Sequence, residues 1–188
     1  MASKLVVKDG MLTLGEGTER YILIPMRAYA AIIDAMVSLV GDAASGPLYY
    51  LGKRIGKGLV EEMETRLEGS SNPEEIVRAF VELLRELGFG RVELVEMRGS
   101  ELVVRMEDAP SLMSRRMLGH GASRGACHLE RGMLAAVLEA ITGEKYVALE
   151  EDQGLDGEKP YCVIVARPMK LDITHAPAAA RPSHPIAA

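Results

Sequence analysis

Two pairs of short strand patterns constrain the fold of this chain more than any other feature. Residues 91–97 and 101–106 alternate apolar and charged side chains across a tight turn, and residues 145–150 and 161–166 form a second pair around a polar connection. Strands joined by such short connections pair antiparallel. Because strands and helices are grouped rather than alternating, the pattern predicts an α+β fold with an antiparallel four-stranded sheet packed against a helical layer.

Four segments predict the helices of that layer. Apolar residues recur at helical spacing over residues 26–40, 47–68, 73–87 and 126–142. Asn72 before the third segment is a good N-cap. We interpret the apolar segment 21–40 as a buried helix and not as a membrane span, because Pro25, Arg27 and Asp34 interrupt it.

The remaining segments predict a hairpin, a loop and a tail. Asp9-Gly10 between the apolar runs 4–8 and 11–14 is a hairpin signal. Residues 107–125, which end in a glycine-rich stretch around His120, indicate a loop, and we interpret His120 as solvated. We predict one domain over residues 1–167 and an Ala/Pro-rich flexible tail over residues 168–188.

Composition narrows the classes of function. The 22 basic and 27 acidic residues give a net charge of −5, and no basic stripe stands out, so direct nucleic-acid binding has little electrostatic support. The N-terminus lacks the long apolar stretch of a signal peptide, which predicts a cytoplasmic protein. In a cytosolic chain, two cysteines are more often core, metal-binding or redox residues than a structural disulfide.

The second helix carries Gly52, Gly56 and Gly58, and each costs about 1 kcal/mol relative to alanine. Something has to offset this cost. The glycines therefore predict a close approach by another helix, by a second subunit or by a ligand.

Several segments together resemble the 4-vinyl-reductase domain family. Residues 127–144 (CHLERGMLAAVLEAITGE) resemble its signature helix, which follows a Cys and ends in Thr-Gly. A strand ending at Glu150 and a Tyr161-Cys162 pair follow, as in that family. Residues 48–58 resemble its tyrosine- and glycine-bearing helix, and the likeness spans roughly residues 20–167.

The resemblance implies a fold similar to the TRAPP transport-complex subunits, which enclose an apolar channel, and a ligand-sensing role. On that basis we expect a homodimeric sensor or carrier for an apolar, aromatic or lipid-like ligand, acting in regulation beside a separate regulator chain, with no direct contact to nucleic acid and no membrane insertion. An enzyme of the vinyl-reductase type that acts on a tetrapyrrole is one alternative, although the chain lacks a nicotinamide or flavin fingerprint. A scaffold or assembly subunit is the other alternative.

The resemblance also implies a structural zinc site. Aromatic-sensing relatives of the family bind zinc through a Cys, a Glu and two further Cys residues, which correspond here to Cys127, Glu150, Gln153 and Cys162. Gln153 replaces a thiolate with a neutral amide, so the implied site keeps three ligands. A water, His128, Asp152 or Glu151 are alternatives for the fourth. The alternative for the cysteines is a role as small buried core residues.

Five residues are candidates for contact with an organic ligand. Tyr combines an apolar ring with a polar tip, and glycines allow close approach, which suits an amphipathic ligand. The candidates are Tyr29, Tyr49, Tyr50, Gly52 and Gly56. Ordinary core or interface packing is the alternative interpretation of the tyrosines. The 11 Met residues are consistent with an adaptable apolar pocket or with a Met-rich core.

Overall fold

A computed structural model describes residues 5–15, 19–66, 72–119, 126–155 and 158–169. It has the predicted α+β architecture, with a small hairpin sheet, a four-stranded sheet and a helical layer. The predicted tail lies beyond the described residues, except for Pro168 and Met169. The glycine-rich stretch 120–125, with His120, also lies outside them, as do His175 and His184 in the tail.

The N-terminal hairpin is confirmed. Strands β1 (Leu5–Lys8) and β2 (Met11–Leu14) pair antiparallel. Asp9 and Gly10 both have positive φ, 51° and 76°, which is the backbone that a two-residue hairpin turn requires.

The first predicted helix is confirmed in its bounds, but the prediction that it is buried is wrong. Helix α1 (Met26–Val40) buries only Ala30, and Ile22 in the segment before it is 86% exposed. A 3₁₀ turn connects α1 to helix α2 (Ser45–Arg66). By length and composition alone, the helical stretch Met26–Met63 is apolar enough to cross a membrane, and little of it is buried.

The third helix begins as predicted. Helix α3 (Pro73–Glu86) is capped by Asn72, whose side chain accepts a hydrogen bond from the backbone N–H of Glu74 at 3.0 Å. Gly88 follows the helix with φ of 82°, a left-handed conformation that favours glycine at helix ends.

The four-stranded sheet is fully antiparallel in the order β3-β4-β6-β5. Its strands are β3 (Arg91–Arg98), β4 (Glu101–Glu107), β5 (Tyr146–Gly154) and β6 (Tyr161–Pro168). The predicted polar connection 151–160 is therefore strand over its first four residues. A register shift between Glu150 and Asp152 marks a bulge there, and such a bulge interrupts the alternation that identifies a strand in a sequence.

The predicted loop after β4 contains a helix. Helix α4 (Pro110–Met117) begins at a proline, which is well tolerated in a first turn. Its serines and arginines give it no clear apolar period, and this is why the sequence pattern indicated a loop. The fourth predicted helix is confirmed as α5 (His128–Thr142), which ends at Gly143 in the left-handed conformation.

The core lies between α5 and the sheet. Three alternate residues of β4, Leu102, Val104 and Met106, point inward and are at most 1% exposed. Met133 and Val137 of α5 belong to the same cluster and are fully buried. Helix α5 is thus the central element, with the sheet on one side and α2 on the other.

Candidate functional site

The two cysteines meet at the N-terminal end of α5. Cys127 directly precedes this helix, and Cys162 lies on β6 between Met106 of β4 and Gln153 of β5 in the strand register. Their Sγ atoms are 2.8 Å apart, both side chains are fully buried, and both cysteines are free. The fold therefore brings together two residues that are 35 positions apart in the sequence.

Glu150 joins the pair from β5. One carboxylate oxygen, Oε2, accepts a hydrogen bond from the backbone N–H of Cys127 at 2.9 Å. The other, Oε1, is buried and has no hydrogen-bond partner among the described residues. Glu150 and Gln153 lie on the two sides of the bulge in β5, in the short stretch of strand beside the cysteines. All four positions implied by the resemblance are thus neighbours in space.

The surroundings of this cluster disfavour a negative charge on sulfur. The pKa of the Cys127 thiol is raised well above its usual value, first by burial, then by the hydrogen bond with Cys162 and by the charges of Glu130 and Glu150. The pKa of the neighbouring His128 is lowered to about 4 by burial and by Arg131 and Arg115. Cys127 is therefore a neutral thiol and His128 a neutral imidazole at neutral pH.

The donor types in this cluster suit zinc, but their arrangement in this structure does not form a site. Zinc takes thiolate, imidazole and carboxylate ligands, and Cys127, Cys162 and Glu150 supply two of these classes. The unpartnered oxygen of Glu150 is an atom that a cation would stabilise. Within the described ranges, however, no group of three or more His, Cys, Asp or Glu side chains is arranged to hold a metal ion.

A second buried polar group lies where α1, α4 and α5 meet. Glu130 of α5 accepts hydrogen bonds from the backbone N–H of Ser111 at 2.9 Å and from its hydroxyl at 2.7 Å. The hydroxyl of Tyr29 on α1 lies 3.5 Å from the Ser111 hydroxyl. Burial raises the pKa of Glu130, against the lowering effect of the Ser111 hydrogen bonds, and burial also raises the pKa of Tyr29.

Sequence reasoning missed Glu130 and Ser111. Ser111 lies in the segment for which the sequence predicts a loop, and a glutamate followed by Arg131 resembles any surface residue of a helix. The available signal was the position of Glu130 one turn before residues 133–138, which are all apolar, because a helical stretch without a polar face is typically buried.

The three candidate tyrosines do not share one site. Tyr29 contacts Ser111 between α1 and α4. Tyr49 lies between α2 and β5, where its hydroxyl accepts a hydrogen bond from the N–H of Ala148 at 3.3 Å and its ring lies 5.5 Å from the Arg131 guanidinium carbon. Tyr50 is 64% exposed.

The candidate glycines lie where α2 packs on α5. A Cβ at Gly52 would collide with the backbone of Leu129, and one at Gly56 would come within 2.6 Å of the Met133 carbonyl. From the other side, a Cβ at Gly132 of α5 would collide with the backbone of Tyr49. Of the three options for the glycines, the approach of another helix is thus confirmed for Gly52 and Gly56; for Gly58 the predicted close approach is wrong, because open space surrounds it. A ligand contact at Gly52 or Gly56 stays a prediction.

A groove of about 390 Å³ lies away from these candidates, between α3 and β3. Its lining is largely charged and consists of Arg78, Val81, Glu82, Arg85, Glu93 and Leu94. Arg85 is already engaged there, because it donates hydrogen bonds to the Val92 carbonyl and to Glu82. This open groove does not suit the apolar ligand that the sequence predicts.

The solved structures that are similar to this chain include two whose titles describe a family or a role. One is the phenol-responsive sensory domain of the transcription activator PoxR, with phenol, at 21% identity and a TM-score of 0.73, over 88% of this chain and 84% of that chain. The other is a vinyl-4-reductase family protein from Methanocaldococcus jannaschii, at 18% identity and a TM-score of 0.51, over 80% of this chain and 85% of that chain. No protein-family model and no curated protein matches the sequence.

At these identities the likeness shows the fold. The chain has the fold of a vinyl-4-reductase family protein and of a phenol-sensing domain, so the resemblance stated from the sequence is confirmed at the level of the fold. A fold shared by proteins with different titles does not fix a ligand, and the function has to be argued from the site.

Proposed function

We propose that this chain is a sensory domain that binds a small apolar or aromatic ligand and acts in regulation. The observation that supports this most is the fold shared with a phenol-responsive sensory domain over 88% of the chain. The composition agrees with this proposal. The chain has a large apolar fraction, and it has no strongly basic stripe that would favour binding of nucleic acid.

We place the polar end of the ligand at Tyr29, Ser111 and Glu130. An aromatic hydroxyl needs a hydrogen-bond partner inside an apolar surrounding. Glu130 is a fully buried carboxyl, and the Tyr29 hydroxyl lies beside the Ser111 group that the carboxyl already holds. Helix α1 covers this group and is itself lightly packed, so it is the element that moves to admit a ligand.

Calorimetric titration of the full chain with phenol tests this proposal. We expect saturable binding, and we expect Tyr29→Phe to weaken it by about 5- to 10-fold, the loss of one hydrogen bond of about 1 kcal/mol. Tyr161→Phe is the matched control, because the Tyr161 hydroxyl donates to Asp152 at an exposed position on the sheet. Absence of binding for phenol, naphthalene and a medium-chain fatty acid would count against the sensory function.

We also propose that the protein is a homodimer through its N-terminal apolar surface. We define that surface by its exposed residues: Leu5, Val7, Ile22, Leu23, Ile32 and Leu39. Among the described residues, most of the large exposed apolar side chains lie between Leu5 and Val40. An apolar surface of this kind marks an interaction site, and a second copy of the chain supplies a self-complementary one.

Sedimentation velocity in buffer without detergent tests the dimer. A dimer at micromolar concentration supports the proposal. A monomer that binds to phosphatidylcholine vesicles would assign the N-terminal apolar surface to a membrane, and a monomer without vesicle binding would leave it as an uncovered surface; either result overturns the dimer.

Zinc at Cys127, Glu150 and Cys162 is the last part of the proposal. It is supported by the buried, unpartnered oxygen of Glu150 and by the closeness of the three residues. Binding requires their side chains to rearrange, because among the described residues they are not grouped around a position for a metal ion. Elemental analysis of protein purified without chelator measures it, with about one zinc per chain expected. Gln153→Cys adds the missing thiolate and should bind zinc more tightly than the natural chain. Zinc-free protein from both chains after incubation with zinc would overturn this part.

A further inference from the structure

We propose that Cys127 and Cys162 form an oxidisable pair, which a small peroxide converts into a reversible disulfide inside one chain. This proposal rests on the geometry of the two cysteines and does not depend on the organic ligand. It concerns the zinc-free chain, because zinc would occupy the same two sulfur atoms. The two Sγ atoms are 2.8 Å apart, both cysteines are free, and the chain contains no other cysteine.

The distance to closure is short. A disulfide has an S–S length of about 2.05 Å, so the sulfur atoms have to approach by about 0.8 Å. Cys162 is held between its β4 and β5 neighbours, Met106 and Gln153. The backbone of Cys127 is also held, because its carbonyl accepts a hydrogen bond from the N–H of Arg131 and its own N–H donates to Glu150. The adjustment therefore falls on rotation of the two cysteine side chains.

The reaction balances with a peroxide, ROOH, as the oxidant. Local opening exposes one thiol to water, where it loses its proton; the thiolate sulfur attacks a peroxide oxygen, the O–O bond breaks and the departing alkoxide takes up a proton, which gives a cysteine sulfenic acid and the alcohol ROH. The second sulfur then attacks the first, the S–O bond breaks, and water leaves. In total the two thiols lose two protons and two electrons, which together are two hydrogen atoms, and the peroxide is reduced to ROH and water.

The neighbours of the pair favour a single product. Gln153 faces Cys162 in the strand register, so the position where the resembling family has a further Cys holds an amide here. With no third thiol in the chain, the sulfenic acid has one partner inside the molecule. Because both side chains are fully buried, a small oxidant reaches them by local opening, and the reaction is slower than that of an exposed thiol.

The experiment uses the reduced full-length chain in buffer with a metal chelator. Hydrogen peroxide is added under native conditions, the protein is then denatured in an alkylating reagent, and its mass is measured. We expect the oxidised chain to have lost two hydrogen atoms and to take up no alkyl group, while the reduced chain takes up two. Peptide mapping should recover Cys127 linked to Cys162, and a dithiol reductant should restore both thiols.

The disulfide closes a loop between residues 35 positions apart, which should raise the Tm of the oxidised chain by about 10 °C. Cys162→Ser is the control and should show no such rise after peroxide. The mass measurement on the natural chain decides the matter even if this variant folds poorly. Two alkylated thiols after peroxide, a chain that only gains oxygen atoms, or disulfide-linked dimers would each overturn the proposal.

Discussion

Helices α1 and α5 have the same length, fifteen residues, and similar apolar spacing, yet their surroundings are opposite. Nine residues of α5 are buried, whereas α1 buries only Ala30. Helix α5 lies between α2 and the sheet, while α1 packs mainly against the short helix α4. Apolar spacing therefore determines that a helix forms, whereas the position of the helix in the fold determines which of its residues are buried.

Small residues explain how α5 reaches its central position. Gly132 of α5 faces the backbone of α2, and Gly52 and Gly56 of α2 face the backbone of α5. Without side chains at the crossing, the two backbones come into contact. Helix α1 contains no glycine and packs mainly against the short helix α4, and its larger apolar side chains remain exposed.

The substitution with the largest expected effect is Gly132→Ala, which tests the close packing of α5 against α2. The added Cβ collides with the backbone of Tyr49, which cannot move without separating α2 from α5. We expect a loss of about 3 kcal/mol or more in the free energy of unfolding, measured by urea denaturation. Gly58→Ala is the matched control, because Gly58 is an exposed helix position with open space around it, and it should gain about 0.5–1 kcal/mol. Equal effects of the two substitutions would contradict the close crossing.

The second test concerns the exposed apolar residues of α1. Ile32 on α1 is 53% exposed, so Ile32→Glu should leave the folded monomer intact. In the proposed dimer it buries an unpaired charge, and we expect dimerisation to weaken by about 100-fold, near 3 kcal/mol. Sedimentation equilibrium measures this change. Val95→Glu is the control, since Val95 is an exposed apolar residue on β3, outside the N-terminal apolar surface. If both variants dimerise as the natural chain does, the dimer contact lies elsewhere.

The smallest effects are expected at Glu130, where the two helices meet through α4. Glu130→Leu leaves the Ser111 N–H without its acceptor and should cost about 2 kcal/mol. Glu130→Gln keeps an acceptor for the N–H and a donor for the hydroxyl, so it should stay within about 0.5 kcal/mol of the natural chain at acidic pH. Both values come from urea denaturation, and equal losses would show that the hydrogen bonds contribute nothing.

The pH dependence of the same pair has a definite sign. The pKa of Glu130 is raised in the folded chain by burial, with Glu150 on β5 adding to the effect and Ser111 opposing it. A raised carboxyl pKa contributes stability that is fully present below the unfolded value of 4.5 and is lost as the pH rises through the folded value. The free energy of unfolding of the natural chain should therefore fall as the pH rises above 4.5, relative to that of Glu130→Gln. Parallel curves for the two chains would contradict the raised pKa.

The sequence predicted most elements because their signals are local. The turn at Asp9-Gly10, the cap at Asn72 and the end of α5 at Gly143 each depend on a few neighbouring residues. The two errors in the elements also have a local cause. Helix α4 lacks an apolar period, and the bulge after Glu150 breaks the alternation of β5.

The candidate site was predictable in part. The resemblance grouped Cys127, Glu150 and Cys162, and the fold does bring them together. Glu130 and Ser111 were missed because their pairing depends on α4, which the sequence did not indicate. The three candidate tyrosines were grouped by residue type alone, and the fold distributes them over three environments.

The class of fold, the bounds of most helices and the antiparallel pairing follow from the sequence, because short-range spacing, turns and caps dictate them. Which apolar helix faces are buried depends on the tertiary structure. It buried α5, left α1 exposed and brought two cysteines 35 positions apart to 2.8 Å. The physical reason is that burial and side-chain distance depend on how elements far apart in the chain pack, and that packing has no short-range signature in the sequence.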